Sequence, residues 1–337
     1  MTIMLRLALC LVLASLGCYG ALANTTHHYV FFGRERERIR QSTFLDTKTL
    51  EGAQLKYMWR ELEPEKGRYD FSEIRKDLKF LQAHRKRLFL QLQDATFAPD
   101  SYGVPAYLRR DPRYHGGVAP QYNLPGDNDD HPVLAGWVAR RWDRAVQLRF
   151  QSLLKALGRE FDGKIEGINF AETAVDFGAS GRLYPKGFTP KGYQDAVIAN
   201  MKALKRAFPR SVTMQYANFM PGEWLPGDDR SYLRTVYRQA ALLGVGVGGP
   251  DLLPLRPGQM HHCYPLIREY SGRIPTGIAV QEGNYEEKNP KTGQRFTVAE
   301  LLEFAQEYLK VNYIFWGTQE PYYSQDLLPF LNHGKVQ

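Results

Sequence analysis

The sequence predicts an α/β fold, a single-domain (β/α)8 TIM barrel, and three observations carry that expectation. Eight short runs rich in apolar, β-branched or aromatic residues each end in polar or aromatic side chains, and longer helix-patterned stretches alternate with them. The chain has 337 residues, a normal length for one α/β barrel and more than an average small domain requires.

Taken in order, the chain opens with Arg6, the apolar run Leu7 to Leu16 and the small-residue site Ala21-Leu22-Ala23. This is the layout of a secretory signal peptide over residues 1–23, so export to the periplasm or medium is expected, with residues 24–337 as the mature domain. A lipid anchor on Cys18 is disfavoured because Ser15 stands where a large aliphatic residue is expected. The apolar run is too short for an ordinary membrane span, and stable membrane insertion is not expected. Cys10 and Cys18 leave with the leader, so Cys263 remains alone and excludes an intrachain disulfide framework. Stability must then come from a large apolar core. The formal charge of +8 is spread along the chain; it is compatible with an acidic polysaccharide and equally with ordinary solubility, and no nucleic-acid motif accompanies it. The Asn24-Thr-Thr26 sequon matters only in a eukaryotic secretory pathway.

The expected strands are 29–32, 53–59, 88–94, 165–172, 212–218, 245–251, 278–282 and 313–316. Helices are expected over 72–83, 138–161, 192–208, 232–243 and 298–310, with Thr297 and Glu300 in capping-box spacing before the last. Arg34 to Arg40 alternates Arg and Glu as a solvated face does, leaving little room for a full first helix. The stretch 95–134, rich in Pro, Gly, Asp and Tyr, reads as a substrate-binding loop after the third strand, because both flanks belong to the same barrel. No internal repeat or second domain is evident.

In such barrels the active site forms at the carboxyl ends of the strands. Two glutamates end apolar strands: Glu172 in Ile165-Glu-Gly-Ile-Asn-Phe-Ala-Glu172, and Glu282 in Ile278-Ala-Val-Gln-Glu282. A period of two puts Ile168, Phe170 and Glu172 on one face, and Ile278, Val280 and Glu282 on another. If those faces point inward, both carboxyls meet at the barrel mouth. Glycoside hydrolysis needs such a pair, one to protonate the departing oxygen and one to attack the anomeric carbon. The acid must stay protonated near neutrality, through apolar surroundings or a neighbouring negative charge.

Several of these segments resemble a known superfamily. Trp59-Arg-Glu-Leu-Glu-Pro64-Glu-Lys-Gly67-Arg-Tyr-Asp-Phe71 is similar to the run that follows strand two in many clan A β-glycosidases, including relatives of families 42 and 5. Tyr313-Ile-Phe-Trp316 is similar to the segment in which that clan places a tryptophan under the sugar. The resemblance implies a retaining glycoside hydrolase acting on a β-linked oligo- or polysaccharide, with Glu172 as acid/base, Glu282 as nucleophile and no cofactor. One position departs from the pattern. Ala171 stands where most of the clan have Asn directly before the acid/base, and Asn169 lies on the face of Ala171 rather than that of Glu172.

Further substrate-binding candidates are Trp59, Asn218, Tyr285 and Trp316. Gln91, Gln93, Asp94, Gln215 and Tyr216 are polar or amphipathic residues near strand ends. Trp59 and Trp316 have core packing as their alternative, and the run from Glu63 to Phe71 reads as a structural turn. Gly244 to Gly249 fits a G-x-G-x-x-G string, but Pro250 and Pro254 follow instead of a helix, so it reads as a glycine-rich sixth strand with close backbone approach. His261-His262-Cys263 lacks metal-ligand spacing, and Asp127 to Asp130 lacks a full calcium-loop pattern, so no metal is assigned. The rival reading from another class is a carbohydrate-binding barrel with weakened catalysis, motivated by Ala171. An ester hydrolase lacks its G-x-S-x-G elbow.

Overall fold

The computed structural model describes residues 25–125 and 129–333; the signal-peptide reading of 1–23 lies outside them. Eight parallel strands close into a barrel: β1 (His27–Gly33), β2 (Leu50–Met58), β3 (Arg87–Gln93), β4 (Gly167–Phe170), β5 (Val212–Tyr216), β6 (Gly246–Gly249), β7 (Thr276–Val280) and β8 (Tyr313–Gly317). Each pairs with its sequence neighbours, and β1 pairs with β8 from His27↔Tyr313 to Phe31↔Gly317, which leaves the barrel sheet without an edge. The principal outer helices are α1 (Ser72–Ala83), α2 (Arg144–Phe161), α3 (Pro190–Ala207), α4 (Tyr232–Leu243), α5 (Cys263–Tyr270) and α6 (Val298–Glu303), the last continuing with π-type pitch through Leu309.

Local side-chain chemistry starts these helices. The Asp143 carboxylate accepts from the Ala145 and Val146 amides ahead of α2. Thr189 Oγ1 accepts from Gly192 N at the start of α3. Thr297 and Glu300 form the expected reciprocal box before α6, with Glu300 N donating to Thr297 Oγ1 at 3.2 Å and Thr297 N donating to Glu300 Oε2 at 2.8 Å. The Arg34–Arg40 segment supplies no full helix: it forms a single 3-10 turn at Arg36–Arg40, followed by the five-residue helix Ser42–Asp46.

Three elements differ from expectation. The helix drawn over 138–161 begins only at Arg144, because Val133–Ala139 is a β-strand. That strand pairs antiparallel with Ala95–Thr96 and with Val118–Asn123, so the excursion after β3, in which no periodicity was expected, carries a three-stranded sheet. Its register is set by alternation, since Ala119 and Val138 are buried partners. The short helices Pro257–His261 and α5 after β6 were also not foreseen; prolines and an adjacent histidine pair obscured their periodicity.

The core has two layers. Inside the barrel Tyr29, Phe89, Met214, Tyr216, Ala279, Tyr313 and Phe315 pack together. Outside, strand residues of the opposite parity, among them Leu55, Leu90, Ile168, Phe170, Ile278 and Val280, pack against the helices. Glycine is required where strands crowd these rings. A Cβ on Gly248 would fall 2.3 Å from Gly277 O, and one on Gly167 would fall 2.6 Å from the Phe89 ring. The glycine-rich sixth strand is thus a site of close backbone approach.

Candidate active site

The two-layer core corrects the facing of both glutamate strands. Ile168 and Phe170, and likewise Ile278 and Val280, point to the helices and not into the barrel. The inward residues near the mouth are instead Asn169 and Ala171, and Asn169 Oδ1 accepts from Gln54 Nε2 at 3.0 Å. Glu172 reaches the mouth by a different route, because it lies two residues beyond the last residue of β4. The chain there remains stretched between its neighbours: Ala171 N donates to Leu92 O of β3 and Thr173 N donates to Tyr216 O of β5.

The Glu172 carboxylate is half-buried and accepts from Asn218 Nδ2 at 2.6 Å. Asn218 is fixed in turn, since its Oδ1 accepts from Ala174 N at 3.2 Å and Phe219 N at 3.0 Å. One side chain therefore ties the end of β4 to the end of β5 and presents an N–H to the acid. Burial pushes the Glu172 pKa up to about 7; the negative charges of Asp251 and Asp176 add to the rise, while the Asn218 bond and Arg141 oppose it. A carboxyl that keeps its proton to near neutrality has the property a general acid needs.

Sequence reasoning did not single out three charged neighbours. Asp251 follows β6, and burial raises its pKa despite a bond from Asn284 Nδ2 at 3.2 Å. Asn284 is a second bracket: its Oδ1 accepts from Leu252 N at 3.0 Å and Gln281 N at 2.9 Å, joining the ends of β6 and β7. Asp176, on the segment after Glu172, is also raised by burial. Lys56, on β2 with its ammonium over the Phe31 ring at 5.4 Å, is lowered by burial, an effect countered by the charge of Glu172. A lysine inside the apolar run Leu55-Lys56-Tyr57 was the signal available for it.

The remaining sequence candidates are placed as follows. Glu282 is exposed on the turn after β7, ahead of Gly283, whose N–H donates to Gln319 Oε1 at 2.8 Å and whose φ is +87°. Trp316 is 0% exposed in the outer core, with Nε1 donating to His28 Nδ1 at 3.0 Å. Trp59 is also 0% exposed, packed edge-on to Phe150 with Nε1 donating to Glu63 Oε2 at 2.9 Å. Tyr285 is buried, its hydroxyl donating to Gly317 O at 3.0 Å and its ring stacked on Tyr322. Neither indole nor the Tyr285 ring opens onto the mouth.

Asp94 receives both Arg141 Nε at 2.8 Å and Nη2 at 2.6 Å as a buried pair, and Gln215 Nε2 donates to Ala171 O at 2.8 Å. The Trp59–Phe71 run is a structural turn around fully buried Glu63, which accepts from Trp59 Nε1 and from Gly67 N and pairs with Arg149. His262 is engaged by the backbone, Nδ1 by Gly258 O at 2.7 Å and Nε2 by Leu225 N at 2.9 Å.

No protein-family model and no curated sequence matches the chain. Among solved structures, it is similar to a polyextremophilic β-galactosidase from the Antarctic haloarchaeon Halorubrum lacusprofundi, with a TM-score of 0.53 and 11% identity over 86% of this chain and 52% of that one. It is also similar to endo-glycoceramidase II from Rhodococcus sp., with a TM-score of 0.53 and 12% identity over 91% of this chain and 78% of that one. The fold is one that glycoside hydrolases use. At this identity the likeness concerns the barrel, and the chain spans about half the length of the β-galactosidase. Among the described residues, no helix is long and apolar enough to cross a membrane.

Proposed function

We propose that the protein is a retaining glycoside hydrolase acting on a β-linked oligo- or polysaccharide. The observation that carries the reading is Glu172: a half-buried carboxyl at the C-terminal mouth of the barrel, held by Asn218 and kept protonated to about pH 7. The shared fold and the clan A resemblance of the sequence support the same class. In this reading Glu172 protonates the departing oxygen while Glu282 attacks the anomeric carbon; Glu172 then takes a proton from water, which releases the sugar. No cofactor enters either step. Lys56 interacts electrostatically with Glu172, so a cation stands near the acid and an acidic sugar is admitted as a substrate. Export through the leader at 1–23 to the periplasm or medium is part of the proposal.

The test is intact-mass and peptide mass spectrometry after exposure to a panel of activated 2-fluoro glycosides. A stoichiometric adduct on Glu282, absent in Glu282→Gln, is the expected result. An adduct on Asp251 would move the nucleophile to the strand-six end. Glycan binding without any adduct or turnover would favour the second reading, a carbohydrate-binding barrel, for which Ala171 and the solvent-exposed Glu282 are the specific observations.

A further inference from the structure

Among the described residues, two aromatic side chains stand out as exposed large apolar groups, Phe97 and Trp224, each 62% exposed. They lie on the excursions that follow β3 and β5, the strands that flank β4 and its Glu172. Trp224 is the better constrained. Its ring stacks parallel on Phe219, with centroids 5.7 Å apart and planes 5° apart, and meets His262 at 4.6 Å.

The backbone around Trp224 is held from several sides while the ring is left uncovered. Trp224 and Asp228 exchange backbone hydrogen bonds of 3.0 and 2.8 Å. The preceding Glu223 carboxylate accepts from Tyr232 N at 2.8 Å and Leu233 N at 2.7 Å, fixing it to the start of α4. The following Leu225 N donates to His262 Nε2 at 2.9 Å. The supporting Phe219 is locked to the catalytic end of the barrel, since its N–H donates to Asn218 Oδ1 and its carbonyl accepts from Thr173 Oγ1 at 2.7 Å. Asn218 thus carries the bond to Glu172 and the base of the aromatic stack together.

A large apolar ring held rigid in water at the rim of a polar site offers a flat π face at little conformational cost, which suits the C–H face of a pyranose. We propose that Trp224 is the platform of an outer sugar subsite, so that the substrate is a glycan chain extending several residues past Glu172 on the β5 side. This rests on the glycosidase reading above and adds chain length to it. A protein partner is the less fitting occupant, because Phe97 and Trp224 sit on opposite flanks of β4 instead of forming one patch.

The experiment compares wild type, Trp224→Ala, Trp224→Phe and, as a control for an exposed apolar residue remote from the mouth on α4, Leu242→Ala. The probes are cello-, xylo-, laminari- and β-1,4-galacto-hexaoses with the matching disaccharides, and the readout is the ratio of kcat/KM for hexaose over disaccharide. Trp224→Ala should lower that ratio about ten-fold, the loss expected for one aromatic stack, with Trp224→Phe retaining most of it and Leu242→Ala matching wild type. An unchanged ratio in Trp224→Ala, on a glycan the wild type cleaves, overturns the platform while leaving the glycosidase reading intact. A change of oligomeric mass in Trp224→Ala with an unchanged ratio overturns it in favour of a contact between copies. If the wild type neither binds nor cleaves any probe, platform and glycosidase reading fall together.

Discussion

Replacing Glu172 with Gln tests the central electrostatic claim without any substrate. In the unfolded chain this carboxyl titrates near its ordinary 4.5, whereas in the native protein burial and the Asp251 and Asp176 charges raise it to about 7. Between those values the native state holds a proton that the unfolded state has released. Stability therefore falls as pH rises through this window, since the slope takes the sign of unfolded minus native protonation. At about 1.36 kcal/mol per pH unit, the interval from 4.5 to about 7 amounts to about 3 kcal/mol. A glutamine of the same shape does not titrate. The stability of Glu172→Gln relative to wild type should accordingly climb by about 3 kcal/mol between pH 4 and pH 8, with most of the change between 4.5 and 7. Urea unfolding at half-unit pH steps measures it, because titrations common to both proteins cancel in the difference. A difference curve flat to within about 1 kcal/mol would mean that Glu172 ionises as a surface carboxylate does, and the acid assignment would lose its physical basis.

Two further perturbations follow from the same geometry. Asp251→Asn removes a negative charge that opposes ionisation of Glu172, so the basic limb of the pH–rate profile, or the carboxyl titration of Glu172 followed by carbon NMR, should move to lower pH; no movement would detach Asp251 from the site. Arg141→Met strands the Asp94 carboxylate, which is 6% exposed beside an arginine 8% exposed. It should destabilise the fold by about 3–5 kcal/mol in urea titration, with the double change Asp94→Leu/Arg141→Met recovering much of that loss.

The barrel was legible because its signal is repeated eight times and each repeat is local. Alternating apolar strands and capped helices need no knowledge of the rest of the chain, and Thr297 with Glu300 shows how directly such a signal becomes a hydrogen bond. Facing was not legible. In a closed barrel both faces of every strand are buried, inside against the rings of Tyr29 and Phe315 and outside against the helices, so hydrophobicity does not reveal which parity points inward. The glycines do: Gly246, Gly248 and Gly277 occupy the inward parity because Met214 and neighbouring backbone leave no room for a Cβ. Trp59, Trp316 and Tyr285 were drawn to the site by residue type, yet each has its polar atom engaged by a neighbour in the core. The rings with open faces are on loops, where no periodicity announces them. Asp251 closed the expected sixth strand, 245–251, yet was passed over because the two glutamates alone matched the acid and nucleophile pattern.

Glu172 and Glu282 differ in a way that bears on mechanism. Glu172 owes its proton affinity to the scaffold, since burial dominates and the Asn218 bracket fixes the carboxyl whether or not a ligand is present. Glu282 sits in water on a glycine turn, so as a nucleophile it would have to be desolvated by the sugar itself. Activity should then depend strongly on how well the glycan seals the mouth. That dependence ties the chemistry to the rim: a platform at Trp224 would hold a long substrate against Glu282, whereas a disaccharide would leave the attacking carboxylate hydrated. Asp251, already half-buried and braced by Asn284, would show no such dependence as nucleophile. Chain-length sensitivity of the first chemical step therefore separates the two carboxylates on physical grounds independent of labelling.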